Sequence, residues 1–351
     1  MSPRRARGKR PEVVVITGAS AGVGRALARR FAREGAHIAL IARGRLGLEA
    51  TAREVRELGG QGLVLCADVA DPPAVDAAAA AAEERFGPID VWVNAAFAGM
   101  LARFVDMDPG EFRRVTEVTY LGQVHGVRAV LPRMMARDRG VIVLVGSALA
   151  YRGIPLQSAY CAAKHALQGF QDSVRAELIE SRSRVKLTMV QLPGINTPQF
   201  DWIRTTMPRS PKPASPPYQP EVAAEAIRYA ARHPRKELVV GAPSWQAILA
   251  DRIASPWLDR YLAATGVKGQ QDDALIEPDR QDNLYQPVEG DRGAHGRFGD
   301  IARGGSPLLW ASMHGKQTGL ALLAAAAALT WIGGKALKRP HGPLTTRTRR
   351  H

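Results

Sequence analysis

Two cysteines in 351 residues, Cys66 and Cys161, leave little scope for covalent or metal cross-linking. They share no ligand-like spacing, so neither a disulfide framework nor a zinc site is indicated, and no metal is expected. A reducing, cytoplasmic setting fits this scarcity. Cys161 stands between Tyr160 and Lys164, where a reactive thiol and a small buried packing residue are the two readings, the second favoured. A secretory signal is also missing, because the basic N-terminus runs straight into a short strand-like segment, Val13 to Thr17. The apolar stretch Leu320 to Ile332, LALLAAAAALTWI, falls short of the roughly 20 residues that span a bilayer, and much of it is alanine. A short or oligomerised membrane helix, an interfacial helix and a helix packed on protein remain open for it. The basic flank after it and the domain before it both belong on the cytoplasmic side, which favours peripheral or in-plane attachment over a single crossing. Acids are absent from the two ends of the chain. Of the net +15, five charges come from Arg4, Arg5, Arg7, Lys9 and Arg10. Six more come from Lys335, Lys338, Arg339, Arg347, Arg349 and Arg350, which leaves +4 for everything between. Such tails suit an anionic surface or simply solvated ends, and do not describe a basic globular face.

What is present is a folded α/β pattern. The apolar fraction is 46%, and short β-rich runs alternate with longer helical ones. Strands are expected at Val13–Thr17, His37–Ala42, Gly62–Ala67, Val91–Asn94, Val141–Val145, Lys186–Gln191 and Leu238–Val240. Helices are expected at Arg25–Glu34, Leu46–Leu58, Pro73–Phe86, Pro109–Met135 and Ser158–Glu180. Strands that are apolar throughout are buried on both faces, which gives a doubly wound parallel sheet with ligands beyond its carboxyl edge. The expected organisation is a basic tail (1–10), a single main Rossmann-type domain (11–263), an irregular polar extension (264–318), an apolar helix (319–334) and a second basic tail (335–351). Residues 207–220 hold six prolines and read as a mobile substrate-covering loop or a plain connector.

Between the first strand and the first helix lies Thr17-Gly18-Ala19-Ser20-Ala21-Gly22-Val23-Gly24. Its glycines permit a tight turn and close approach of a pyrophosphate, and the helix N-terminus adds N–H groups and partial positive charge. Gly18, Ser20, Ala21, Gly22, Val23 and Gly24 are therefore candidate cofactor contacts. The second strand ends at Ala42-Arg43-Gly44-Arg45, without the acid that would bond the ribose of NAD. Arg43, and secondarily Arg45, suit a 2′-phosphate, which favours NADP(H) over NAD(H). Asp68, with its neighbour Val69, follows the third strand, where a carboxylate would accept from the adenine amino group. Asp68 as N-cap of the next helix is the rival reading.

Tyr160 and Lys164 lie four apart and share one helix face. A nearby lysine cation favours the phenolate and so lowers a tyrosine pKa from its ordinary value near 10. The phenol then exchanges a proton with an alcohol or carbonyl oxygen. Ser147, at the end of an apolar strand, is positioned to hold that oxygen by a hydrogen bond. Together they describe a nicotinamide-dependent oxidoreductase.

The set TGASAGVG, VNAA, Ser147 and YCAAK resembles the short-chain dehydrogenase/reductase family over roughly residues 11–263. The resemblance implies a Rossmann-type fold, NAD(P)(H) and interconversion of alcohols with carbonyls. It also implies that Lys164 binds the cofactor ribose, that Pro193 and Thr197 belong to the segment facing the nicotinamide, and that the chain is a homo-oligomer. Two departures stand out. The usual Asn-Asn-Ala-Gly is Asn94-Ala95-Ala96-Phe97 here, which puts the geometry around Asn94, itself a candidate cofactor contact, in question. Thr119 replaces an Asn that supports a proton relay to the lysine, and only partly replaces it. The expected function is reduction or oxidation of an apolar, lipid-like small molecule. An NADP(H)-binding regulatory or scaffold protein is the alternative. Nucleic acid is not an expected partner, since no reading motif accompanies the arginines.

Overall fold

The computed structural model describes residues 10–213, 216–277 and 279–315. Seven strands form one parallel sheet: β1 (Val13–Thr17), β2 (His37–Ala42), β3 (Gln61–Cys66), β4 (Val91–Asn94), β5 (Val141–Ser147), β6 (Lys186–Leu192) and β7 (Glu237–Val239). Their order across the sheet is β7-β6-β5-β4-β1-β2-β3, with the reversal of direction between β1 and β4. The doubly wound arrangement expected from the apolar runs is therefore present, and its crevice opens at that reversal. Every residue of β1 is buried, as the strand's unbroken apolar run requires.

Helices cover both faces. They are α1 (Gly22–Ala32), α2 (Arg45–Glu57), α3 (Pro72–Phe86), α4 (Pro109–Thr116), α5 (Gly122–Ala136), α6 (Ser158–Glu180), α7 (Pro220–Arg232) and α8 (Ala242–Thr265). α1 packs against α2 and α7, whereas α3 packs against α5 and α4 against α6. Alternate strand residues such as Val13, Val15, Ile142 and Leu144 build one continuous core with Val75, Val130 and Leu167.

The single helix expected over Pro109–Met135 is interrupted. A π-helical turn, Glu117–Leu121, separates α4 from α5 and carries Thr119. Such turns leave carbonyls without their usual partners. Here the Gln123 side-chain amide donates to the Thr119 carbonyl at 3.5 Å and to the Val145 carbonyl at 3.1 Å.

The polar extension departs further from expectation. Its described residues through Ser306 fall within the same compact unit as the sheet. Gln271–Leu275 pairs antiparallel with Arg209–Pro211 and so pins the stem of the proline-rich loop that looked mobile. Leu284 is fully buried in the main core. Among the described residues no helix is long and apolar enough to cross a membrane. The apolar segment 319–334 and the basic tail 335–351 lie outside the described residues, as do residues 1–9 of the N-terminal tail.

Close helix–sheet contact is tightest at Gly126 of α5, where an added Cβ would sit 2.1 Å from Asn94 Oδ1 and 2.7 Å from Trp92 Nε1. Gly126→Ala is expected to destabilise the protein by about 2–3 kcal/mol through overpacking and loss of the Trp92–Asn94 hydrogen bond. A lowered urea midpoint at unchanged m-value would report this, and an unchanged midpoint would refute it.

Candidate active site

The carboxyl ends of the strands surround a cleft of about 470 Å³. Its floor begins at the glycine turn. Gly18 has φ +72°, and an added Cβ there would lie 2.8 Å from Ala96 Cα. A Cβ on Gly24 would lie 2.2 Å from the Gly18 carbonyl oxygen. Only glycine fits both places, because the turn packs directly on the backbone of the loop after β4 and on itself. α1 starts without a side-chain cap and without acids in its first turn, so its N-terminal dipole favours an anion, although the Gly22 N–H is already taken by the Gly293 carbonyl. Gly18, Ser20, Ala21, Gly22, Val23 and Gly24 all line the cleft. These features fit a dinucleotide pyrophosphate.

The loop after β4 departs from the family pattern yet is firmly held. Thr17 Oγ1 accepts from the N–H groups of Ala95 and Ala96 at 3.0 and 3.1 Å. Thr119 Oγ1 accepts from the Ala98 N–H at 2.9 Å and donates to the Ala98 carbonyl at 2.6 Å. The Thr119 hydroxyl is fully buried, and its two bonds to Ala98 anchor the loop after β4. The expectation for Asn94 is corrected. The pleat of β4 turns its side chain inward, where Oδ1 accepts from Trp92 Nε1 at 2.9 Å, and it does not line the cleft.

Ser147, Tyr160 and Lys164 converge on the far half of the cleft. Ser147 ends β5, while the tyrosine and lysine come from the first two turns of α6. Lys164 is 2% exposed, and its Nζ donates to the Val145 carbonyl at 2.7 Å and lies 5.5 Å from the Tyr160 ring centre. Burial lowers the Lys164 ammonium to about 7. Burial also raises the Tyr160 phenol above its ordinary value, opposed by a hydrogen bond with Ser147. The lysine does not supply the lowering expected from the sequence, and desolvation dominates the phenol. Cys161 is buried, and burial raises its thiol, as suits a packing residue. Phe97, Leu101, Leu149, Ile154, Phe200 and Ile203 make this half apolar, with Pro213 and Pro216 of the proline-rich loop beside them. Phe97 meets the Tyr160 ring edge-on at 6.0 Å. Pro193 and Thr197 also face the cleft, and Thr197 lies beneath the glycine turn.

At the adenosine half the polar groups are arranged differently from the sequence reading. Arg43 lines the cleft, but its guanidinium donates to the carbonyls of Asn283, Leu284 and Tyr285. Burial lowers its pKa, Asp68 counteracts, and Arg114 adds to the lowering. Arg45 is corrected: it is 68% exposed, stands 3.7 Å from Glu49 one turn along α2, and does not line the cleft. Asp68 and Val69 do line it. Asp68 is not the N-cap of α3, because Asp71 caps that helix through the Ala74 N–H. The Asp68 carboxylate instead pairs with Arg114 and accepts from the Ala70 N–H at 3.0 Å. Burial works to raise its pKa, but these two donors outweigh it and hold it low.

The sequence reading missed the extension as part of this site. Asn283, Pro287, Val288, Glu289, Gly290 and Arg292 line the same cleft. The Gly22 N–H donates to the Gly293 carbonyl at 3.1 Å. Buried Arg25 ties Asp291 to Glu54, whose carboxyl is held down to about 2 by the Arg29 and Arg25 guanidiniums against burial. The only local hints were Leu284 within a polar segment and the acid Asp291.

Comparisons with known proteins agree with this geometry. The family model described as short chain dehydrogenase matches residues 12–207. An uncharacterized oxidoreductase of Bacillus subtilis, YxnA, is 31% identical over 81% of this chain and 81% of its own length. Dehydrogenase/reductase SDR family member 7B of Mus musculus is 38% identical over 54% of this chain, which spans 59% of that protein. A metagenomic short-chain oxidoreductase solved in complex with NADP superposes with TM-score 0.56 at 27% identity, over 66% of this chain and 97% of that one. An alcohol dehydrogenase from Thermococcus sibiricus complexed with 5-hydroxy-NADP gives 0.57 at 30% identity, over 66% and 96%.

Two outcomes follow from the geometry. Leu284→Ser should loosen the extension without unfolding the sheet, so trypsin is expected to cut after Arg280 or Arg292 at least ~10-fold faster than in the native chain. Equal cleavage rates would show that Leu284 does not anchor it. Lys164 supplies the second. Below about pH 7 the folded and unfolded chains both carry its proton and the buried charge costs most. Between there and the unfolded value of 10.5 the folded site releases the proton first, so this residue's contribution to stability rises with pH. Lys164→Met should therefore gain on the native protein most below neutrality and lose that advantage toward about pH 10. A stability difference constant across that range would contradict the buried-cation assignment.

Proposed function

The chain belongs to the short-chain dehydrogenase family, an oxidoreductase acting on CH–OH groups of small molecules, and on that premise we propose that it interconverts an apolar alcohol and its ketone or aldehyde with NADP(H). The observation that carries this reading is the convergence of Ser147, Tyr160 and Lys164 on a cleft half walled by Phe97, Leu149, Ile154 and Phe200. In oxidation the Tyr160 oxygen takes the proton of the substrate hydroxyl, and in reduction it returns one to the new alkoxide. Ser147 holds that oxygen by a hydrogen bond and fixes its distance from the phenol. Lys164, next to the Tyr160 ring, stabilises the phenolate once charged and binds the cofactor ribose. A nicotinamide bound here would supply hydride chemistry at the carbinol carbon. Ser20, Ala21, Gly22, Val23 and Gly24 would hold the pyrophosphate, Asp68 and Val69 the adenine side, and Pro193 and Thr197 the nicotinamide side. The apolar wall excludes water from the reacting oxygen.

Preference for NADP(H) is supported by the absence of an acid after β2, by Arg43 in the cleft, and by the complexes of the two solved relatives with NADP and 5-hydroxy-NADP. Arg43 must then serve both a 2′-phosphate and the carbonyls of 283–285. The alternative of a cofactor-binding scaffold drew on Thr119 and Phe97. Thr119 has a structural use that leaves the proton-transfer residues untouched. A homo-oligomer acting on the cytoplasmic side completes the proposal.

NADPH consumption with a panel of aliphatic and aromatic ketones and aldehydes tests the reading. Tyr160→Phe is expected to lower kcat by about 10²–10⁴ while NADPH still binds. Arg43→Ala should reduce the NADPH-over-NADH ratio of kcat/KM by ~10-fold, the loss of one charge-assisted hydrogen bond. NADPH binding without turnover on any carbonyl, and no effect of the tyrosine change, would return the scaffold reading.

A further inference from the structure

α8 is kinked at Ala254 (φ −141°, ψ 44°), just before Pro256, and its two arms carry five large apolar residues four apart in sequence, Trp245, Leu249 and Ile253 on the first and Trp257 and Tyr261 on the second. All are exposed, by 49%, 58%, 75%, 61% and 50%. The buried residues of the same segment are Ser244, Ile248 and Leu258. Ordinary solvated helices turn such side chains inward, and a contiguous exposed row of this kind marks a contact surface. Its composition narrows what it contacts. Three of the five are tryptophan or tyrosine, the residues that favour the boundary between hydrocarbon and water, and Trp257 and Tyr261 stack at 5.5 Å.

The charges beside the row are arranged asymmetrically. Arg252 and Arg260 each precede a row residue by one position, are exposed, and form no ion pair among the described residues. The helix's two acids, Asp251 and Asp259, are both drawn to Arg152 in the segment between β5 and α6. The outward face is therefore apolar, aromatic and cationic, with its negative charge engaged elsewhere. A second copy of the same face would bring arginine against arginine, whereas an anionic lipid surface complements both the row and its charges.

We propose that α8 lies in the plane of an anionic membrane surface, with its row of Trp245, Leu249, Ile253, Trp257 and Tyr261 in the headgroup–acyl boundary. Pro243, Ser244 and Ala247 in the first turns of this helix line the catalytic cleft. The cleft wall and the first three residues of the row are thus on one arm of α8, and an apolar substrate dissolved in the bilayer reaches the cleft alongside it. This last step rests on the apolar substrate class proposed above; the docking of α8 does not.

The test uses the full chain and vesicles of phosphatidylcholine containing about 30% phosphatidylserine. The native protein should co-sediment with them and release as salt is raised. Ile253→Ser/Trp257→Ser should weaken binding at least ~10-fold, and Arg252→Gln/Arg260→Gln should remove most of the salt dependence. Circular dichroism and NADPH turnover of a water-soluble ketone, both unchanged in the variants, exclude misfolding. Turnover of a ketone dissolved in the vesicles should fall with binding. Equal vesicle binding by native and variant chains would overturn the proposal by assigning attachment to the terminal segments. So would no binding at all, or a dimer in sedimentation equilibrium that the serine variant dissociates. Failure of every ketone to turn over would count against the proposed reaction and leave the vesicle result standing.

Discussion

A lysine ammonium 2% exposed at the end of a parallel sheet is an expensive object, and much of this structure can be understood as the means of holding it. Its direct protein partner is the Val145 carbonyl at 2.7 Å, which also accepts from the Gln123 amide. That carbonyl is available because β5 is nearing its end there, two residues before Ser147. Gln123 in turn reaches back to the Thr119 carbonyl in the π-helical turn, and Thr119 clasps both backbone groups of Ala98. A chain of buried hydrogen bonds thus runs from the loop after β4, through a distorted helix, to the lysine. Helix distortions of this sort persist only when their surroundings support them, and they concentrate at functional sites.

The consequence for chemistry is a poised site. Burial works against the charged forms of both Lys164 and Tyr160, so neither is committed to charge by the protein groups around it. Burial brings the lysine near neutrality but holds the phenol protonated, so the phenol depends on a new charge or hydrogen bond brought into the cleft before it gives up its proton. The apolar wall around Phe97 keeps the dielectric low and so makes each such contact count for more.

The extension gives the other half of the cleft a similar economy. Arg43, a half-buried guanidinium beside Arg114, is satisfied by three backbone carbonyls, while Asp68 supplies the nearby negative charge. Gly22, Arg25 and Arg43 all bond residues between 283 and 293, so the glycine turn and the end of β2 are joined by the same length of chain. Cofactor site and extension are therefore one packed unit, and a change in either is felt by the other.

The sequence alone carried the sheet, its helices and the residues at its carboxyl edge, because those depend on short-range pattern. Apolar runs specify buried parallel strands, glycines at 18, 22 and 24 specify a turn, and Tyr160 and Lys164 share a face through the helix repeat itself. Tertiary structure decided the remainder. The partners of Arg43 lie about 240 residues away, and Asp291 meets Arg25 across 266 positions. No local periodicity encodes such pairs. Nor does spacing reveal whether burial or a neighbouring charge governs a phenol, or that Thr119 turns toward Ala98, or that five large apolar residues on α8 are exposed. Those outcomes depend on which surfaces the whole chain covers, since desolvation and hydrogen-bond satisfaction are properties of the packed molecule and not of any segment within it.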